Sequence, residues 1–115
     1  MENPEYLPLR EPTYFILLSL SDEPKHGYAI LKDVETLSGG RVVLGTSTLY
    51  EALARLLDQG LVTRLEAAGD KGHPGRPRKC YKLTLIGQQV LSAELARLQG
   101  LVAIAQKRLG VLGGQ

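Results

Sequence analysis

Positive charge collects in one short stretch of this chain, residues 71–84. The stretch holds five Lys or Arg residues and no acidic residue, although the 115-residue chain has a net charge of only +2. Glycine and proline recur through its first half and disfavour a helix there. This composition predicts an exposed hairpin tip whose cations are free to contact an anionic partner at one place on the protein.

Several kinds of chemistry can be tested against this stretch. A Walker loop needs a Gly-Lys pair followed by Ser or Thr, between a strand and a helix, and the stretch lacks this pattern. Only His26, His73 and Cys80 offer nitrogen or sulfur ligands, and they show no standard zinc spacing. We therefore expect no metal and no cofactor. No nucleophile, base and orienting residue occur at usable spacing, so we expect no enzyme.

Contact with DNA is the chemistry that remains. On an extended tip, Lys71, Arg76, Arg78 and Lys79 would reach phosphates or enter a minor groove. The alternative is a solvated hairpin whose charges only keep the protein soluble. The basic stretch by itself favours neither interpretation, so the elements around it must decide.

Hydrophobic periodicity and capping signals place the basic stretch between two strands near the end of the chain. The predicted elements are helices at about 11–20, 27–37, 46–59 and 85–109 and strands at 41–44, 61–67 and 79–83. This order predicts an α+β, mostly α fold: a winged helix-turn-helix with a two-stranded wing and a long C-terminal helix. We assign residues 1–84 to a DNA-binding domain and 85–115 to a dimerisation helix and tail, together forming one compact unit.

The third helix has a polar side opposite its leucine-rich side. Thr46, Ser47 and Thr48 supply hydroxyl groups in the first turn, where free backbone N–H groups also suit phosphates and base edges, and Tyr50 lies beside them. Each has a purely structural alternative, because Thr46 and Thr48 could cap the helix and Tyr50 could be half-buried packing.

Three motifs in order resemble the PadR family of bacterial transcriptional regulators. They are HGYAI at 26–30, GTSTLYEALARLLDQGLV at 45–62 and GRPRKCYKLTLIG at 75–87. The resemblance covers about residues 10–100. It implies a dimeric repressor of double-stranded DNA in which the third helix enters the major groove and the hairpin reaches the flanking backbone. It also implies a small, often aromatic, effector, and Tyr28 of the first motif joins the expected DNA-binding residues.

The last helix carries apolar residues at alternating spacings of four and three, which is the a/d pattern of a helix-pairing seam. The seam residues are Leu91, Leu95, Leu98, Val102, Ala105 and Leu109. The alternative is a helix that packs only on its own domain, but the seam runs past what a small three-helix core could cover. We predict a homodimer through this helix, as the short form of the family similarly forms, and an inverted-repeat operator.

A rival function fits the same charge pattern. A winged-helix module could use the basic hairpin to bind an acidic protein rather than DNA. The family-like motifs favour DNA. The longest apolar run, Tyr14 to Leu18, is far too short to span a bilayer, and the N-terminus lacks the basic start of a signal peptide. We therefore expect a cytoplasmic protein that does not enter membranes.

Overall fold

The computed structural model describes residues 6–66 and 79–110 and contains four helices and three strands within these ranges. The elements are α1 Glu11–Ser19, β1 Lys25–His26, α2 Gly27–Leu37, α3 Thr46–Asp58, β2 Val62–Glu66, β3 Lys79–Leu83 and α4 Leu85–Leu109. The predicted winged-helix fold is confirmed. Most of the basic stretch, including Lys71, Arg76 and Arg78, lies outside the described residues.

The sheet is antiparallel and has the strand order β1-β3-β2. β2 pairs with β3 so that Arg64 lies opposite Tyr81, and β1 pairs with the other edge of β3. The predicted strand at 41–44 is wrong, and the third strand is Lys25–His26 instead. Val42 is buried against the end of α2, where its N–H donates to Ser38 Oγ at 2.9 Å, so this segment bonds to a helix end rather than to a strand.

The core lies between the first three helices, the inner face of the sheet and the first turns of α4. α1 is apolar around most of its circumference and packs against both α2 and α4. α3 buries a single leucine-rich face, as its period predicts. The largest fully buried apolar side chains are Ile16, Leu17, Ile30, Leu49, Leu53, Leu61, Val34 and Val90.

A dense junction joins the end of α3, the start of β2 and the start of α4. Thr84 caps α4, since its Oγ1 accepts the Gly87 N–H at 2.9 Å and donates to the Gly60 carbonyl at 2.7 Å. The Thr84 N–H donates to the Leu61 carbonyl at 3.1 Å. A Cβ on Gly87 would overlap that same carbonyl and lie 2.8 Å from Leu83 Cδ1. Only glycine therefore lets α4 approach this closely.

A buried carboxylate ties the N-terminal segment to α4. Glu94 is only 2% exposed and accepts the Leu9 N–H on Oε2 at 3.1 Å. Arg97 donates to both oxygens of the same carboxylate, from Nε at 2.7 Å and from Nη2 at 2.9 Å. Leu9, just before α1, is therefore held against α4.

The second half of α4 extends beyond the core. Leu91 is 9% exposed and packs inside its own protomer, whereas Leu95 and Val102 are 47% and 54% exposed. Leu91 thus has little surface left for a partner, in contrast to its place in the predicted seam. None of the helices within 6–66 and 79–110 is long and apolar enough to cross a membrane.

Two glycines of α4 allow a matched test of the junction. Gly87→Ala should lower the free energy of unfolding by about 1–3 kcal/mol, because the new methyl group must displace a backbone carbonyl. Gly100→Ala should raise it by about 0.5–1 kcal/mol, since no atom lies within 4 Å of the place that its methyl group would take and alanine favours helix. Urea unfolding at equal chain concentration measures both. Equal stability of the two variants would contradict the close approach.

Candidate nucleic-acid interface

The first turn of α3 presents three neighbouring hydroxyl groups to solvent. Thr46, Ser47 and Thr48 are all exposed, while Leu49 in the next position is fully buried. Gly45 is the N-cap residue of α3, and among the described residues no side chain makes a capping hydrogen bond at the start of this helix. The capping alternative for Thr46 and Thr48 is therefore not what the structure shows, and their hydroxyl groups remain at the surface beside the start of the helix.

Tyr50 links the first turns of α2 and α3. Its side chain is 45% exposed, and its hydroxyl end lies against Gly27 at the start of α2. A Cβ on Gly27 would lie 2.8 Å from Tyr50 Cζ and still closer to the hydroxyl oxygen. Gly27 and Tyr50 are thus in direct contact, and this contact sets how closely α2 and α3 approach each other.

Tyr28 lies next to this contact on the outer side of α2. It is 64% exposed, and the Lys32 Nζ lies 5.9 Å from the centre of its ring. A cation at this distance is attracted to the face of the ring. Tyr28 and Lys32 therefore form an aromatic and basic surface beside the start of α3.

The base of the wing adds a third tyrosine, which lies near Tyr50. Tyr81 is 4% exposed and lies directly opposite Arg64 in the β2–β3 ladder. Burial raises the pKa of Tyr81, and the neighbouring Tyr50 raises it further, whereas the charge and hydrogen bond of Arg64 oppose the rise. The Tyr81 hydroxyl therefore stays protonated at neutral pH, and it leaves the positive charge of Arg64 in place.

These residues surround an open cleft of about 580 Å³ between α2, α3 and the wing. We call it the tyrosine cleft, and its lining residues are His26, Gly27, Tyr28, Tyr50, Arg64, Lys79 and Tyr81. None of these seven is acidic. A cleft with hydroxyl groups, ring faces and two permanent cations has the chemistry to hold an anion.

The structure brings part of the predicted site together. Tyr28, Tyr50 and Lys79 share the tyrosine cleft, and the three hydroxyl residues lie at the start of the same helix as Tyr50. Lys71, Arg76 and Arg78 belong to the part of the chain that is not described, so their place in the site stays a prediction. Sequence reasoning missed Arg64 altogether and treated Tyr81 only as a motif position.

The comparisons with known proteins agree with this fold. The family model for the Transcriptional regulator PadR-like family matches residues 16–93, which is more than half of the chain. The chain therefore belongs to the PadR-like family of transcriptional regulators. The family resemblance predicted from the three motifs is confirmed.

Individual relatives cover the chain to different extents. It is 43% identical over 90 residues to an uncharacterized 37.1 kDa protein in transposon TN4556 of Streptomyces fradiae, an alignment that covers 76% of this chain and 24% of that protein. The chain thus spans about a quarter of the length of that curated relative. It is 31% identical to a PadR family transcriptional regulator from Eggerthella lenta, covering 86% of this chain and 84% of the other at a TM-score of 0.63.

Two further solved structures are informative. Bacillus subtilis PadR in complex with operator DNA is 28% identical, with a TM-score of 0.64, covering 75% of this chain and 48% of that one. A PadR family transcription regulator from Clostridium difficile has a TM-score of 0.71 and covers 87% of this chain and 99% of the other. At 22% identity this second likeness shows the fold alone.

The contact between Gly27 and Tyr50 can be measured by a double-mutant cycle. Gly27→Ala should lower the free energy of unfolding by about 1 kcal/mol, because the methyl group must push the half-exposed Tyr50 ring out of its place. In a Tyr50→Ala background the same change should cost almost nothing. Urea unfolding of the four proteins gives the coupling energy. A cost at Gly27 that is identical in both backgrounds would show that the two residues act independently.

Proposed function

We propose that this PadR-like regulator is a homodimeric, sequence-specific DNA-binding repressor that binds an inverted-repeat operator. The observation that carries the proposal is the uncapped, hydroxyl-rich first turn of α3 next to the basic and aromatic tyrosine cleft. A helix that presents such a turn suits the major groove, while cations and hydroxyl groups beside it suit the phosphates at the groove edge.

Roles within the proposed interface follow from chemistry and position. Ser47 and Thr48 are short, exposed and at the start of α3, so they are the residues we assign to base edges or nearby phosphates. Tyr28 and Tyr50 supply hydroxyl groups at the flank of α3. Lys79 begins β3 and is exposed, so it continues the positive charge of the cleft toward the wing.

The operator complex of Bacillus subtilis PadR supports DNA as the partner of this chain. The likeness covers three quarters of the chain at 28% identity, which is enough to relate the two folds. Positive charge on the wing supports the same partner, because Lys71, Arg76 and Arg78 would add phosphate contacts beyond the cleft.

Exposed apolar residues of α4 support a dimer. Leu95 and Val102 belong to a helix stretch that leaves the core, and Leu109 at its end is 73% exposed. Leu98 and Ala105 complete the seam between them on the same face of the helix. In a single chain this face of α4 is exposed to water. Pairing with the same face of a second copy would bury it.

A repressor released by a small molecule needs a place for that molecule. A groove of about 440 Å³ lies between the N-terminal segment and the last turns of α3, with Tyr6 and Leu9 on one side and Arg55 and Leu56 on the other. The groove is large enough for a small aromatic effector, and Tyr6 and Arg55 offer it a ring face and a cation. A ligand there would touch both α3 and the segment that Glu94 holds against α4.

Selection of bound duplexes from a random pool tests the proposal directly. Enriched sequences should contain a dyad whose half-sites lie about 10 bp apart, centre to centre, or a multiple of one helical turn. Two equivalent α3 helices of a two-fold dimer require this symmetry. Enriched sequences without a dyad would contradict the arrangement, and an absence of any enrichment would favour the rival acidic-protein partner.

The wing cations should act through charge rather than through sequence. Arg76→Ala with Arg78→Ala should weaken specific and non-specific duplexes by similar factors. The slope of log affinity against log salt should flatten by about one unit for each phosphate that the variant no longer binds. Thr48→Ala is the matched comparison, because it should instead change the ratio of specific to non-specific binding. Fluorescence anisotropy across a salt series separates the two results.

Opposite faces of α4 provide a test of the dimer. Leu95→Glu with Val102→Glu should convert the protein to monomers at micromolar concentration, because pairing would bury charges among apolar side chains. Ile104→Glu is the control: it adds charge at a 69% exposed position away from the seam and should leave the dimer intact. Analytical ultracentrifugation gives the masses. A double variant that keeps the dimer mass would rule out this interface.

A further inference from the structure

We propose that the tyrosine cleft binds one phosphate of the DNA backbone and that Arg64 is the cation that contacts it. This inference rests on the proposed DNA-binding function and adds a residue and a subsite to it. Arg64 lies on β2, outside all three sequence motifs that relate the chain to its family. The proposal therefore comes from where the sheet places this side chain.

The pairing of β2 with β3 determines the position of Arg64. It is paired directly with Tyr81, and side chains of directly paired residues lie on the same face of the sheet. Because alternate residues of a strand also share a face, Val62 on β2 and Lys79 and Leu83 on β3 lie on this face too. Val62 and Leu83 are buried toward the helices. Arg64 is thus on the helix side of the sheet, at its solvent-exposed edge, and it lines the cleft together with Lys79.

Tyr81 lies beside Arg64 and does not neutralise its charge. Its side chain is buried, and it is directly opposite Arg64 in the β2–β3 ladder, so the two side chains are neighbours on the same face of the sheet. A carboxylate partner would cancel the charge, but a protonated tyrosine does not. Arginine presents a planar set of N–H donors that matches two phosphate oxygens at once, so Arg64 suits a phosphate better than a point charge does.

The remaining walls of the cleft fit a phosphate diester of a DNA strand. Tyr28 and Tyr50 bring hydroxyl groups from α2 and α3, and Lys79 brings a second cation from β3. In helix-turn-helix docking the helix before the recognition helix crosses the DNA backbone. The cleft lies between the first turns of these two helices. A strand whose bases face α3 would therefore pass its backbone over the cleft.

The test compares substitutions of one cation on each face of the wing. Arg64→Ala and Arg64→Gln remove the cation, Arg64→Lys keeps it without the planar donor set, and Lys82→Ala removes an exposed cation from the opposite face of β3. Binding of the selected operator and of a scrambled duplex is measured by anisotropy across a KCl series. Thermal unfolding of each protein confirms that it is folded.

Removal of the Arg64 charge should flatten the salt slope by about 0.9 and weaken both duplexes by roughly tenfold at low salt. Arg64→Lys should keep the slope and lose only part of the affinity, because lysine contacts phosphate as a point charge. Tyr81→Phe should also keep the slope, because the Arg64 charge remains, while affinity falls because the cleft loses one hydroxyl group. Lys82→Ala should match the wild type in both quantities.

Two results would overturn the proposal, and they differ in whether the proposed DNA-binding function fails with it. If Arg64→Gln keeps the wild-type slope and affinity while the Arg76 and Arg78 double variant loses them, the cleft is not a phosphate site and the proposed DNA-binding function stands. If the wild-type protein binds no duplex in a salt-dependent manner, the cleft proposal and the DNA-binding function fail together.

Discussion

The arrangement of this protein depends on the close approach between Gly87 and the carbonyl of Leu61. It brings the first turn of α4 against the start of β2, at the point where the chain leaves α3. Thr84 completes the junction by bonding to Gly60 and to Gly87 at once. Because α3, both strands of the wing and α4 meet there, the position of the exposed turn of α3 relative to the long helix depends on this contact.

Much of the fold could be predicted from the sequence because the signals were local. α2, α3 and α4 have clear apolar periods, α1 is a nearly continuous apolar run, and β3 and α4 begin and end where the pattern predicts. The errors arose where local preference and tertiary pairing disagree. Residues 41–44 have a β-prone composition but bond to the end of α2, whereas Lys25 and His26 form a strand only because the edge of β3 is available to them.

Only the parts of the candidate site that lie within a single helix or strand could be predicted from the sequence. The exposed hydroxyl residues follow from the period of α3 alone. The Arg64–Tyr81 pair does not, because it depends on the register of two strands separated by twelve residues, and alternation within one strand gives no register. The seam of α4 has a similar limit: its period continues from Leu91 onward, but only the packing shows that Leu91 lies in the core and Leu95 outside it.

The buried carboxylate of Glu94 has a consequence for how the N-terminal segment can respond to its surroundings. The hydrogen bonds from Arg97, and to a lesser degree the bond from Leu9, hold the pKa of Glu94 below its ordinary value although burial opposes the shift. The stabilisation by this charge is fully present above the ordinary pKa of a glutamate and is lost only as the pH falls through the lowered one. Proton concentration near neutrality therefore leaves the link between the segment and α4 closed. The link is therefore insensitive to mild acid, and opening it near neutral pH would require a group that competes for the Leu9 N–H or for the Arg97 guanidinium.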